Sequence, residues 1–264
     1  MSPGPSAVLH IPHSSTVVPD DVRRTFVLSD SALERELLRL TDRYTDELFV
    51  LDPSHAVPVV FPVSRLVVDP ERFTDDAMEP TAARGMGAVY MSTTDGAPLR
   101  GSLSASERAE LLARFYEPHH AALEAATQTV LDAHGRCLIV DCHSFPNGPL
   151  PSDMNQERPR PEICIGSDAF HTSDELVAEA VTGFAAHGLE VAVNRPYAGA
   201  LVPARWYWSD DRVSAVMIEI NRRLYMDEAT GEKLASFADT GAIVESVCSA
   251  LVTAHADPSR RRGA

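Results

Sequence analysis

The stretch Cys137-Leu-Ile-Val-Asp141-Cys-His143-Ser144 decides the fold. Residues 137–140 form a continuous apolar run with no polar alternation, the pattern of a strand buried on both faces. An acid and a histidine, Asp141 and His143, follow directly. Working outward, the same pattern recurs. Residues 6–11 are a short apolar strand closed by Pro12, with His13 just beyond, and residues 213–220 are strongly apolar with one acid, Glu219, among them. Residues 56–61 and 65–68 read as strands split by Pro62, and 162–166 and 189–193 as two more. Helices are expected over 31–49, capped by Asp30, and over 104–133, opened by the capping box Ser104-Ala-Ser-Glu107 and interrupted near Pro118. Two further helices fit 174–187 and 232–254, and residues 74–100, studded with Gly, Pro, Asp and Thr, read as a long surface loop of the kind that carries function. Strands alternating with helices predict an α/β three-layer sandwich, a sheet with helices on both faces, whose ligands gather at the carboxyl ends of the strands.

A chain of 264 residues buries roughly three quarters of its extended surface, enough for one domain over 1–257 without disulfide or metal staples. Residues 258–264, polar and arginine-rich, are expected to be a disordered tail. The net charge of −15 argues against nucleic-acid or anionic-membrane partners. Lys233 is the only lysine and sits in a polar Thr-Gly-Glu-Lys stretch, which excludes a Walker-type phosphate loop and Schiff-base catalysis. The first ten residues lack a secretory pattern, and no run of about 18 apolar residues suggests a membrane span. Cys137, Cys142, Cys164 and Cys248 are widely spaced and read as reduced thiols, so a cytoplasmic location is expected. Oligomeric state is left open.

The chemistry lies at three strands. A carboxylate inside an apolar strand costs several kcal/mol unless it is paired or works beside a metal, which makes Glu219 the most informative residue. Its alternative is an ion pair with Arg205, Arg222 or Arg223. A catalytic zinc takes three protein ligands and leaves a fourth position for water. His13 and His143 supply two; the third is Asp42 or Asp46, four residues apart and on one face of the expected helix. Asp141 can accept the free N–H of an ion-bound imidazole and fix its tautomer. Tyr197, in a turn made rigid by Pro196 and Gly199, could donate to substrate. His119 and His120 read as structural, and Ser144 lacks the Gly-x-Ser-x-Gly elbow of serine hydrolases.

Six segments together resemble the N-formylglutamate amidohydrolase family: Ile-Pro-His13-Ser-Ser, Thr-Asp42-Arg-Tyr-Thr-Asp46-Glu-Leu-Phe, Ser-Arg65-Leu-Val-Val-Asp69-Pro-Glu-Arg72-Phe, Asp141-Cys-His143-Ser, Asn194-Arg-Pro-Tyr197-Ala-Gly and Ile-Glu219-Ile-Asn221-Arg-Arg-Leu-Tyr225-Met. The resemblance implies a fold like the zinc carboxypeptidases and aspartoacylases (phosphorylase/hydrolase-like), with a mixed central sheet. It also implies one zinc ion on His13 and His143, and Glu219 as general base. It makes Arg65 the group that polarises the scissile carbonyl and Arg72 the grip on a substrate carboxylate, with Asn194 and Tyr197 on the substrate side. Two departures stand out. Thr16 stands where the carboxypeptidase-type motif His-x-x-Glu has its acid, and Asp69-Pro70-Glu71-Arg72 stands where aspartoacylase-like enzymes carry Asp-Leu-Asn-Arg. The implied reaction is cleavage of the amide of a small N-acyl amino acid, with N-formyl-L-glutamate going to glutamate and formate in histidine degradation. The alternatives are a zinc deacylase or peptidase with another substrate, and an inactive module that binds an acidic ligand.

Overall fold

The computed structural model describes residues 4–257, so the tail at 258–264 lies outside the described residues. Six strands form one mixed sheet: β1 (Ala7–Ile11), β2 (Ala56–Val60), β3 (Cys137–Phe145), β4 (Ile163–Gly166), β5 (Val191–Val193) and β6 (Val213–Asn221), in the order β2-β1-β3-β6-β4-β5. β1, β2, β3 and β6 run parallel; β4 is antiparallel to β6 and parallel to β5. The central strand β3 is buried along all nine residues, as its apolar start predicts.

Among the described residues, seven α-helices accompany the sheet: α1 (Asp20–Arg23), α2 (Asp30–Leu40), α3 (Thr45–Leu48), α4 (Ala105–Leu111), α5 (Glu117–His134), α6 (Asp174–Ala185) and α7 (Phe237–Ala256). Because side chains alternate along a strand, β3 feeds two cores. Leu138, Val140 and Cys142 join Val216, Ile218 and Ile220 of β6, and pack with Ala180 and Phe184 of α6 and Val244, Val247 and Cys248 of α7. Cys137 and Ile139 face the other way, toward Leu123, Val130 and Leu131 of α5. Helix α7 is long and apolar enough by length and composition to cross a membrane, yet its Val244, Val247, Cys248, Leu251 and Val252 recur at helical spacing in the core. Leu138→Ala should cost about 2–5 kcal/mol, because a fully buried side chain leaves a cavity in the central strand. A urea midpoint equal to that of the wild type would contradict this packing.

Several expectations from sequence are corrected. The helix over 31–49 breaks after Leu40, and Ser29 rather than Asp30 caps it by accepting from the Ala32 N–H. Thr41 is extended and Tyr44 is left-handed at φ 69°. The Asp42 N–H donates to the His13 carbonyl at 3.0 Å, and the Tyr44 and Tyr225 hydroxyls donate to the carbonyls of Gly231 and Arg43. Tertiary hydrogen bonds thus outweigh continuation of the helix. Residues 65–68 are not a strand: beyond Pro62 the chain turns, with the Val67 N–H on the Ser64 carbonyl and the Asp69 N–H on the Ala88 carbonyl. Nor is 74–100 simply a surface loop, because Ala88, Tyr90 and Leu99 are fully buried, Tyr90 and Leu99 in a third core with Val67 and Val68. The capping box at Ser104 and Glu107 is present, and the chain runs helically to His134 through a π-turn at Leu112–Tyr116. Pro118 explains that turn, since it cannot donate to residue 114 and its ring crowds that carbonyl.

Candidate active site

Period and register assemble the site. Along β3, Ile139, Asp141 and His143 share the α5 face, which Val8 and His10 share on β1 and Ala215 and Glu219 on β6. In the sheet His10 lies opposite Asp141, and His143 lies opposite Glu219. His13 follows β1 by two residues. Three neighbouring parallel strands therefore deliver two acids and three imidazoles to one end of one face. β3 continues to Phe145, so Asp141 and His143 lie within the strand rather than at its end.

The two imidazoles are held in the same way. His13 Nε2 donates to Asp69 Oδ1 at 2.9 Å, and His143 Nε2 donates to Asp141 Oδ1 at 3.1 Å. Their Nδ1 atoms face one oxygen, Asp42 Oδ2, at 3.6 Å and 3.2 Å, with the ring centroids 5.2 Å apart. The other Asp42 oxygen accepts from Arg222 Nη2 at 2.9 Å. His13 Nδ1 and Glu219 Oε2 are among the buried atoms without a hydrogen-bond partner. An unpaired buried polar atom costs about 1–3 kcal/mol, a cost removed once it binds an ion or a substrate atom.

Charge follows from this arrangement. Burial works to raise Asp42, but the imidazoles of His13 and His143 and the Arg222 guanidinium hold it below the usual carboxylate range. Burial pushes the Glu219 carboxyl up to about 8; the charges of Asp42 and Glu71 reinforce this, while His143 and Arg222 oppose it. The expected alternative of an ion pair between Glu219 and Arg222 does not form, because the Arg222 Nη2 group is spent on Asp42. Two imidazole nitrogens and a carboxylate oxygen, buried together with their far sides already bonded, are a donor set that fits a divalent ion.

A family model for N-formylglutamate amidohydrolase matches residues 6–226. The chain belongs to that family. Membership of the N-formylglutamate amidohydrolase family makes it a hydrolase acting on amide bonds. In fold it is similar to the crystal structure of N-formylglutamate amidohydrolase from Ralstonia eutropha JMP134, with TM-score 0.82 and 25% identity over 98% of this chain and 95% of that one. It is also similar in fold to a gene product of Agrobacterium tumefaciens, with TM-score 0.65 and 22% identity over 95% and 92% of the two chains. No curated protein matches it.

Of the residues that resemblance to the N-formylglutamate amidohydrolases singles out, the structure gathers His13, Asp42, His143, Asp141 and Glu219. Asp46 does not join them: with the helix broken at 41–44, it lies on α3 as an exposed residue and no longer shares a face with Asp42. Arg65 is half-buried, donating through Nε and Nη2 to Asp69 Oδ2 at 3.0 and 2.7 Å. Arg72 is freer, its buried Nε without a hydrogen-bond partner and its nearest carboxylates at 3.7 Å (Asp69) and 3.8 Å (Glu79). The Tyr197 hydroxyl accepts from Arg160 Nη1 at 3.1 Å and donates to Asp153 Oδ2 at 3.3 Å. Asn194 is exposed, and its amide is taken by Ser167, whose Oγ accepts from Nδ2 and whose N–H donates to Oδ1, so it staples a loop rather than facing the histidines.

Three residues of this cluster carried no role in the expectations from sequence. Asp69, bonded to His13, Arg65 and Tyr90, entered only as part of the segment that carries Arg65 and Arg72. Glu71 entered only as a departure beside Arg72, whereas its carboxylate lies 3.2 Å from His143 Nε2 and 3.8 Å from His13 Nδ1. His13, Glu71 and His143 form one group that could hold an ion, and His10, Glu71 and Asp141 form another. His10 carried a signal that went unused, a histidine alternating with core residues inside an apolar strand.

Proposed function

We propose that this chain hydrolyses the amide bond of an N-acyl amino acid, with N-formyl-L-glutamate as the first substrate to test, using one Zn2+ held by His13, Asp42 and His143. The observation that carries this reading is that the Nδ1 atoms of His13 and His143 face one Asp42 oxygen, with Glu219 opposite His143 in the sheet and both His13 Nδ1 and Glu219 Oε2 buried without a hydrogen-bond partner. A zinc ion there would polarise the scissile carbonyl and make water acidic enough to react near neutral pH. Glu219, raised toward neutrality by burial, is suited to take a proton from the attacking water and return it to the departing amine nitrogen. Arg65 orients Asp69, and through it His13, and turns its remaining guanidinium edge to the developing oxyanion. Arg72, with its Nε free, grips a substrate carboxylate. The four buried free cysteines suit a reducing compartment such as the cytoplasm.

Metal analysis of purified protein together with formate release from N-formylglutamate tests this. One zinc per chain with formate release is expected; metal-free protein that binds the substrate without cleaving it would favour the binding module instead. A second reading, a deacylase for a different acyl amino acid, is favoured by Glu71, whose carboxylate stands beside the histidines where the aspartoacylase-like motif has a neutral Asn. A panel of N-acyl amino acids separates the two. The acidic ligand is tested separately: Asp42→Asn should weaken Zn2+ binding by more than about 100-fold, beyond the range for an orienting partner. Asp46→Asn should leave it unchanged, and equal losses in both variants would overturn the assignment.

A further inference from the structure

Behind Asp141 lies a second pair of buried imidazoles that the reaction above does not use. His10, fully buried on β1, places Nδ1 at 2.8 Å from Asp141 Oδ1 and Nε2 at 2.9 Å from His119 Nε2. His119 itself is buried, edge-on to Phe61 with centroids 5.0 Å apart. Next to it His120 stacks on Tyr116 at 4.1 Å and meets the Pro70 carbonyl at 2.8 Å, within the turn that carries Asp69 and Glu71. Adjacent residues at the start of α5 thus meet His10 on one side and the Pro70 carbonyl on the other.

The direction of these hydrogen bonds is set by chemistry. An ionised carboxylate only accepts, so the nitrogens of His10 and His143 that face Asp141 Oδ1 must both carry protons; by the same rule His143 Nδ1, 3.2 Å from Asp42 Oδ2, carries one in the metal-free protein, and an ion bound there would displace it. Asp141 Oδ2 is filled by the Leu201 N–H at 2.9 Å. Burial, reinforced by His10 and His120, pushes His119 down to about 3, so it is neutral and has one N–H to give. With the His10 proton on Nδ1, toward Asp141, the lone pair on Nε2 accepts from His119 Nε2. The reverse tautomer would set a lone pair of His10 against a carboxylate.

We propose that His10 and His119 are positioning residues for the ion site: a chain from His119 through His10 to Asp141 fixes the His143 proton on Nε2 and leaves Nδ1 to the ion. This rests on the reading that His143 ligates a metal. Loss of an orienting partner of a metal-bound histidine costs about 10–100-fold in affinity, and a residue one step further out belongs at the low end.

The test measures Zn2+ affinity by competition with a chelator, alongside the visible spectrum of the Co2+-loaded protein. His10→Phe keeps the ring and removes both nitrogens; it should bind Zn2+ about 10-fold more weakly and shift the Co2+ bands. His10→Asn puts an amide N–H where Nδ1–H stands and should stay within about 3-fold of wild type. Should His10→Phe fail to fold, the pair His119→Phe and His119→Gln carries the same comparison, since the Gln amide can donate as Nε2–H does. Phe variants that bind like wild type overturn the proposal, as do Asn or Gln variants that lose as much as Phe, because packing alone would then be at stake. Wild-type protein that takes up no Zn2+ overturns the metal reading itself, before any variant is compared.

Discussion

His143→Ala is expected to retain no stoichiometric Zn2+ after dialysis and to lose amide hydrolysis with it. The substitution removes the nitrogen that faces Asp42 Oδ2 at 3.2 Å, and also the N–H that donates to Asp141 Oδ1. Loss of a ligand atom exceeds the 10–100-fold in metal affinity that an orienting partner is worth. A second cost falls on the fold: Asp141 is 2% exposed, and losing one of its donors leaves a buried carboxylate less well satisfied. Metal content by elemental analysis and a thermal melt read the two effects separately. Retention of one zinc per chain at wild-type affinity would remove His143 from the ligand set.

Glu219→Gln should behave in the opposite way, keeping the ion and losing turnover. The amide matches the carboxyl in size, so packing in β6 is preserved while the proton acceptor is gone. General-base losses of this kind run to about 10²–10⁴ in rate. The stability of the metal-free protein supplies an independent check. An acid whose carboxyl is raised on folding takes up a proton as it folds at neutral pH. Its contribution to stability is therefore full below the unfolded value near 4.5 and is lost as pH rises toward about 8. Glutamine carries no such dependence, so above pH 5 the metal-free variant should melt no lower than wild type, and the gap should widen in its favour as pH rises to 8. A variant that hydrolyses substrate at the wild-type rate would end Glu219's role as base.

Much of this arrangement was legible in the chain. The unbroken apolar runs at 137–140 and 213–220 required strands buried on both faces, and helices between the strands required layers on either side. The carboxylate inside the second run had to be satisfied by a partner or an ion, which singled out Glu219 from solvation cost, whereas His143 stood out as a histidine just beyond the first run. What the chain concealed was wherever distant contacts overrule local preference. The 31–49 segment has the spacing of one helix, and only hydrogen bonds to His13, Gly231 and Arg43 break it and turn Asp42 inward while Asp46 stays on the surface. Glu71 and Asp69 sit in a turn with no periodic signature, so their partners depend on how that turn packs beneath α5.

The amino-acid sequence by itself determined the layers of the sheet and the strands that carry the chemistry, because periodicity and the cost of burying charge act within a single segment. Only the tertiary structure decided which acid meets the two histidines and which arginine neutralises it. Those pairings join residues about 30 to 180 positions apart, and hydrogen-bond geometry at that separation is set by strand register and loop packing rather than by any local pattern.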